Sequence, residues 1–236
     1  LPRRQFQIDV DERRNGGAAL MEGLRHMAEL EHARVRDFDE VVWLDSDILI
    51  NHHRAPCIVS DNPSDKIGVV YFSSLERGTP AKIDNRWSRR MQVPSPAAWY
   101  AHYGLGSDVD DFTNTGVMVL RPATHAGFLR WVYDNCKEVP GAVQENGPLS
   151  YHLFKNDMAS PIDDRFNVTW NGEMVEYYSF LDNDAHWRDR RLTAFCVNAA
   201  WHNAFFLHFV ASKFREDVAL VATDCSDIRK LTIAAG

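Results

Sequence analysis

The chain has 236 residues, 45% of them apolar and 25% charged, with a formal net charge of −7 at pH 7. This is the composition of an ordinary globular protein with enough residues for one α/β domain and its core. The acidic balance argues against a nucleic-acid footprint, and no apolar run approaches the roughly 20 residues of a membrane span.

Leu1-Pro2-Arg3-Arg4 is not a signal peptide. An upstream anchor or stem stays open, and with it the compartment, cytoplasm or Golgi lumen. Gln5 to Val10 alternates Phe6, Ile8 and Val10 and predicts a short strand. Gly16-Gly17 breaks it. Leu20, Leu24, Met27 and Leu30 predict a helix over 18–33. Val41-Val42-Trp43-Leu44 is an apolar run that reads as a strand buried on both faces. Strand, helix, strand is the signature of parallel α/β folds. Lys66 to Phe72 reads as the next strand. Residues 76–106 show no clear period and hold Trp87, Trp99, Tyr100 and Tyr103. A loop of this length in a compact domain is usually functional or disordered, and its aromatics favour function. Thr115 to Leu120 predicts a strand that ends at Arg121-Pro122. Thr124 is a candidate cap for a helix whose buried face carries Phe128, Leu129, Val132 and Cys136. A second helix over 145–154 accommodates Pro148 in its first turn. Beyond Pro161 the pattern is short strands: 166–170, 195–197 and 205–210. Cys57, Cys136, Cys196 and Cys225 have no metal-binding or redox spacing. Asn167-Val168-Thr169 matches the glycosylation sequon at the level of chance.

The chemistry concentrates at the end of the Val41–Leu44 strand. Ligands in open α/β sheets bind beyond the carboxyl ends of strands, and residues i and i+2 of an extended chain point the same way. Asp45 and Asp47 can therefore aim two carboxylates at one hard divalent cation. The same spacing at Asp9/Asp11, Asp108/Asp110 and Asp182/Asp184 follows no strand and reads as solvated loop acids. Three further segments are candidates. Asn114-Thr115-Gly116 lies at the mouth of the Thr115–Leu120 strand. Gln144-Glu145-Asn146 precedes a helix start, where free N–H groups favour polar or anionic ligands. His208 lies in an apolar strand, with Lys213 following; alone it reads more readily as a core histidine than as a ligand. The other nine histidines, His52-His53 among them, read as ordinary.

Taken together, Trp43-Leu44-Asp45-Ser46-Asp47-Ile48-Leu49-Ile50, Asn114-Thr115-Gly116-Val117-Met118-Val119-Leu120-Arg121, the Gln/Glu-bearing helix start and the late His with its Lys resemble the GT-A nucleotide-sugar glycosyltransferases. Within that class, the glycogenin-like and galactosyl/mannosyltransferase groups are the most similar. The likeness covers about 18–213. It implies one GT-A-like domain over 1–236, Rossmann-like, with a mostly parallel sheet flanked by helices and a small β region near the C-terminus. It implies transfer of a sugar from a nucleoside-diphosphate sugar, UDP-linked rather than GDP-linked, to a hydroxyl of a glycan, glycolipid or glycoprotein. Asp45, Asp47 and His208 would hold Mn²⁺, or Mg²⁺, with Asp45 also reaching the ribose. Asn114 and Thr115 would contact the transferred sugar or acceptor, Gln144 and Glu145 the donor sugar, and Lys213 the diphosphate. Asp45, Asp47, Asn114 and Glu145 are the catalytic candidates. Two departures stand out. Ala211 replaces the family's usual Gly, and Lys213 is one residue nearer the His than usual. The 44 residues before Asp45 fit one strand and one helix, so the family's base-binding first strand is not visible. Trp99, Trp170 or Trp201 could stack on sugar rings or fill the core. Among Asp110, Asp111, Glu145, Asp163 and Asp164, none stands out as an acceptor base. The rival readings are a haloacid-dehalogenase-type phosphatase, with Asp163-Asp164 as its later acidic pair, and a non-catalytic glycan-binding domain. Leu49 disfavours the phosphatase, which wants Thr or Val there.

Overall fold

The structure, a computed structural model, describes residues 37–62, 65–72, 95–136, 146–182, 189–210 and 212–221. The strand expected over 5–10 and the helix over 18–33 lie outside these residues. The chain forms two compact units, one comprising 1–46 and 57–164, the other 47–56 and 165–236.

The first unit holds a four-stranded sheet of β1 (Val41–Leu44), β3 (Ile67–Val69), β4 (Val117–Leu120) and β5 (Ala159–Pro161), in the order β1-β4-β3-β5. β4 runs antiparallel to both β1 and β3, while β3 and β5 pair in parallel. The fold class is α/β as expected, but the sheet is mixed rather than mostly parallel. An apolar run marks where a strand lies and not its direction. Direction depends on which strand becomes its neighbour, and β4 inserts between strands that run the other way. All four residues of β4 are buried, as two-sided coverage requires.

Helices α2 (Pro122–Cys136) and α3 (Asn146–Lys155) cover this sheet. Ala126, Leu129, Val132 and Cys136 from α2, and Leu149 and Leu153 from α3, join Val41, Trp43, Ile67, Met118 and Leu120 in one core. The start of α2 differs from expectation. The helix begins at Pro122, whose missing N–H costs nothing in the first turn, and Thr124 is inside it rather than capping it. The buried His125 takes over the cap. Its Nδ1 accepts the Arg121 N–H at 2.9 Å, and its Nε2 lies 2.6 Å from the Asp65 carbonyl, to which it donates. Burial, with the nearby Arg121 charge, lowers the His125 pKa below its ordinary 6.5. The folded chain therefore binds this proton more weakly than the unfolded chain. Stability from this group is full above pH 6.5 and lost as pH falls below it. Urea unfolding across that range should show this slope, and His125→Gln should flatten it.

Residues 95–106, expected as loop, include a helix, α1 (Pro96–His102), whose cap Ser95 accepts the Ala98 N–H at 3.2 Å. Trp99 and Tyr100 are buried with Phe72, Val109, Phe112 and Tyr151. Trp99 lies against Gly147, where a Cβ would sit 3.0 Å from its ring. These aromatics fill a core. Residues 76–94, with Trp87, lie outside the described residues.

The second unit holds β2 (Ile48–Ile50), β6 (Val168–Thr169) and β7 (Phe206–His208) in the order β2-β7-β6, with α4 (Trp170–Tyr177) and α5 (Arg190–Asn203). β2 and β7 are antiparallel, and β6 and β7 are parallel. Two expected strands are corrected. Of 166–170, only Val168–Thr169 is extended, and Trp170 opens α4. Residues 195–197 lie inside α5. The short Phe-Cys-Val run looks strand-like, but Thr193, Cys196, Val197, Ala200 and Trp201 are buried at helical spacing, while Phe195 is 72% exposed. Asp189 caps α5 by accepting the N–H groups of Arg191 and Leu192 at 3.0 and 3.2 Å. At its other end Asn51 donates to the carbonyls of Trp201 and Ala204. Trp170 and Trp201 are both in the core of this unit, with Met174, Val197, Leu207 and Phe209.

Candidate metal centre

Asp45 directly follows β1. Its backbone N–H donates to the Gly116 carbonyl at 2.9 Å, which extends the β1–β4 ladder by one step. The strand end of β1 is thereby tied to the Asn114-Thr115-Gly116 turn. That turn is built from side chains. Asn114 Oδ1 accepts the Gly116 N–H at 3.0 Å. Asn146 Oδ1, at the start of α3, accepts both the Thr115 N–H at 2.7 Å and the Thr115 hydroxyl at 2.8 Å. Thr115 is fully buried and Asn114 half-buried. Asn146 belongs to the candidate segment Gln144-Glu145-Asn146, but the sequence assigned it no role of its own. The signal it left was a polar residue just before Gly147-Pro148, where a helix start needs a partner for neighbouring donors.

Asp47 is fixed by β7 on two sides. Its carbonyl accepts the Phe209 N–H at 3.0 Å, and its Oδ1 lies 3.0 Å from His208 Nε2. The β2–β7 register, Ile48 opposite His208, sets this meeting. His208 is 2% exposed, and its other nitrogen, Nδ1, is 3.0 Å from the Oδ1 of the buried Asn167. Asn167 is thus an interior hydrogen-bonding group, which removes the sequon match from consideration in the folded chain. Thr169, the register partner of His208 on β6, is buried, and its hydroxyl has no hydrogen-bond partner in the structure.

Two peptide bonds separate Asp45 from Asp47, so the chain itself keeps their carboxylates close. Asp45, Asp47 and His208 each offer a ligand atom, and these atoms all lie within 4.8 Å of one another. Two carboxylate oxygens and an imidazole nitrogen form a donor set that fits a first-row divalent ion such as Mn²⁺, with Mg²⁺ a harder, more oxygen-seeking alternative. Among the described residues, no other such group of three is present, and neither Asp163 nor Asp164 joins this one.

The remaining candidates separate by location. Gln144 and Glu145 lie outside the described residues. Lys213 falls in a 3₁₀ stretch, Ser212–Leu220. Asp110 is exposed, and Asp111 Oδ1 accepts the N–H of its neighbour Phe112 at 2.8 Å. No helix among the described residues is long and apolar enough to cross a membrane.

No family model matches the chain, and no curated protein does. Solved structures to which it is similar include glycosyltransferases. One, described as a glycosyltransferase involved in glycosylation of the major capsid of PBCV-1, is 13% identical over 85% of this chain and 76% of that one, with a TM-score of 0.46. The galactosyltransferase LgtC, solved with donor and acceptor sugar analogues, is 17% identical over 88% of this chain and 72% of its own, with a TM-score of 0.38. GlyE of Streptococcus pneumoniae is 13% identical over 90% of this chain and 46% of its own, with a TM-score of 0.42.

Proposed function

We propose that this chain, over 1–236, acts as a single metal-dependent glycosyltransferase domain that moves a sugar from a nucleoside-diphosphate sugar to a hydroxyl acceptor. The observation that carries this reading is the convergence of Asp45, Asp47 and the buried His208 beyond the end of β1. A His among the carboxylates, with Asp163-Asp164 outside the group, favours it over the phosphatase reading.

When bound, a divalent ion would act as a Lewis acid on the diphosphate oxygens, which gain negative charge as the glycosidic bond breaks. Asp45, Asp47 and His208 are the residues that would hold it. In this proposal Asn114, at the turn tied to Asp45, contacts the transferred sugar or the acceptor. Thr115 serves the same subsite, with its hydroxyl held by Asn146. Gln144 and Glu145 contact the donor sugar, and Lys213 adds positive charge toward the diphosphate. The donor is UDP-linked in this reading, and the acceptor is a glycan, glycolipid or glycoprotein.

A thermal-shift series of nucleotide-sugars with and without Mn²⁺ tests the proposal. The expected result is stabilisation by a UDP-sugar only when Mn²⁺ is present, because a ligand that binds only the folded state raises its stability by mass action. His208→Ala should weaken Mn²⁺ by more than the roughly 10–100-fold that loss of an outer partner costs. Calorimetry showing equal affinity in that variant would return His208 to a purely packing role.

A further inference from the structure

Asn167 is 2% exposed, at the end of a 3₁₀ turn that runs into β6. A buried amide is costly unless it is hydrogen-bonded, and an apolar residue would fill this place at lower cost. Its Oδ1 lies 3.0 Å from His208 Nδ1. A carbonyl oxygen only accepts, so Nδ1 must carry the hydrogen. The parallel pairing of β6 with β7, Thr169 opposite His208, holds this contact by backbone register. The other nitrogen, Nε2, is the one that faces Asp47, at 3.0 Å.

We infer that Asn167 is a positioning residue for the metal centre: it accepts the Nδ1 hydrogen of His208 and fixes the ring in one orientation, so that Nε2 is the nitrogen presented to a cation beside Asp47. The inference rests on the reading of Asp45, Asp47 and His208 as metal ligands. An imidazole ligand whose other nitrogen donates to a fixed acceptor is a better base and loses less freedom on binding. Asn167 adds no charge to the donor set, so its contribution is to tautomer and orientation alone.

The test uses the full chain and two variants, Asn167→Leu, which removes the acceptor at similar volume, and Asn167→Asp, which keeps an acceptor there. Circular dichroism reports folding, and calorimetry reports Mn²⁺ affinity. Long-range proton–nitrogen NMR of the histidine rings, in metal-free Asp47→Ala protein at alkaline pH, where the competing carboxylate 3.0 Å from Nε2 is gone, reports the tautomer that Asn167 selects and needs no variant of Asn167. The expected results are a His208 hydrogen on Nδ1 in Asp47→Ala and a loss of about 10–100-fold in Mn²⁺ affinity for Asn167→Leu. Asn167→Asp should bind at least as tightly as wild type, a rescue that a merely space-filling role would not produce. A His208 hydrogen on Nε2 in Asp47→Ala, or unchanged Mn²⁺ affinity in folded Asn167→Leu, overturns the role of Asn167 and leaves the metal centre intact. Absence of Mn²⁺ binding by the wild type overturns the metal centre itself.

Discussion

Asp47→Ala should abolish metal-dependent transfer, lowering it by about a thousandfold or more, while the chain stays folded. That factor follows if the cation contributes several kcal/mol of charge stabilisation to the departing diphosphate and Asp47 is one of its anionic ligands. Folding should survive because the backbone bond from Phe209 N–H to the Asp47 carbonyl does not involve the side chain. What the substitution removes is the carboxylate 3.0 Å from His208 Nε2. Asp47→Asn is the sharper variant, since it keeps the shape and one acceptor but removes the charge. Both should lose Mn²⁺ binding with unchanged circular dichroism. The assay follows release of nucleoside diphosphate from whichever nucleotide-sugar gives the largest Mn²⁺-dependent thermal shift. Full turnover by Asp47→Ala would sink the assignment.

Trp170→Ala should destabilise the protein by about 3–5 kcal/mol, the usual range for deleting a large aromatic from a packed core. Trp170 is fully buried at the start of α4, packed with Met174, Trp201 and Leu207. Its Nε1–H also donates to Asp217 Oδ2 at 2.9 Å. Asp217 is buried as well and is otherwise held by Arg190 at 3.2 Å. Burial raises its carboxyl pKa, against the lowering effects of Trp170 and Arg190. Trp170→Phe keeps most of the packing and removes only the donor. It should cost about 1–3 kcal/mol, the range for leaving a buried polar group short of a partner. Urea unfolding measures both. A Trp170→Ala variant of wild-type stability that no longer binds sugar would instead make this ring a stacking platform, which its burial argues against.

The candidate metal centre was legible because each of its three residues sits in a local pattern. Asp45 and Asp47 follow an unbroken apolar strand, and His208 interrupts another. What could not be read was that β7 would pair with β2 in the register that brings His208 to Asp47, across 160 residues of chain. The roles of Asn146 and Asn167 were missed for the same reason. A polar residue at a helix start or in a chance sequon announces nothing until its partner, Thr115 or His208, is known. The 195–197 run shows a related failure, since three apolar residues fit a strand and only the buried set from Thr193 to Trp201 reveals a helix.

By itself, then, the amino-acid sequence determined where β1, β3 and β4 lie, though not β5, that Leu129, Val132 and Cys136 of α2 face the core, and that Asp45 and Asp47 follow a strand. These follow from short-range periodicity and burial, which a linear chain records directly. Only the tertiary structure decided that β4 lies between β1 and β3 and runs against both, that Trp99, Trp170 and Trp201 are core residues, and that His208 faces Asp47 with Asn167 behind it. Strand order and register are settled by contacts between distant segments, whose cost in loop closure depends only weakly on the sequence between them. They therefore leave no local mark at the residues they bring together.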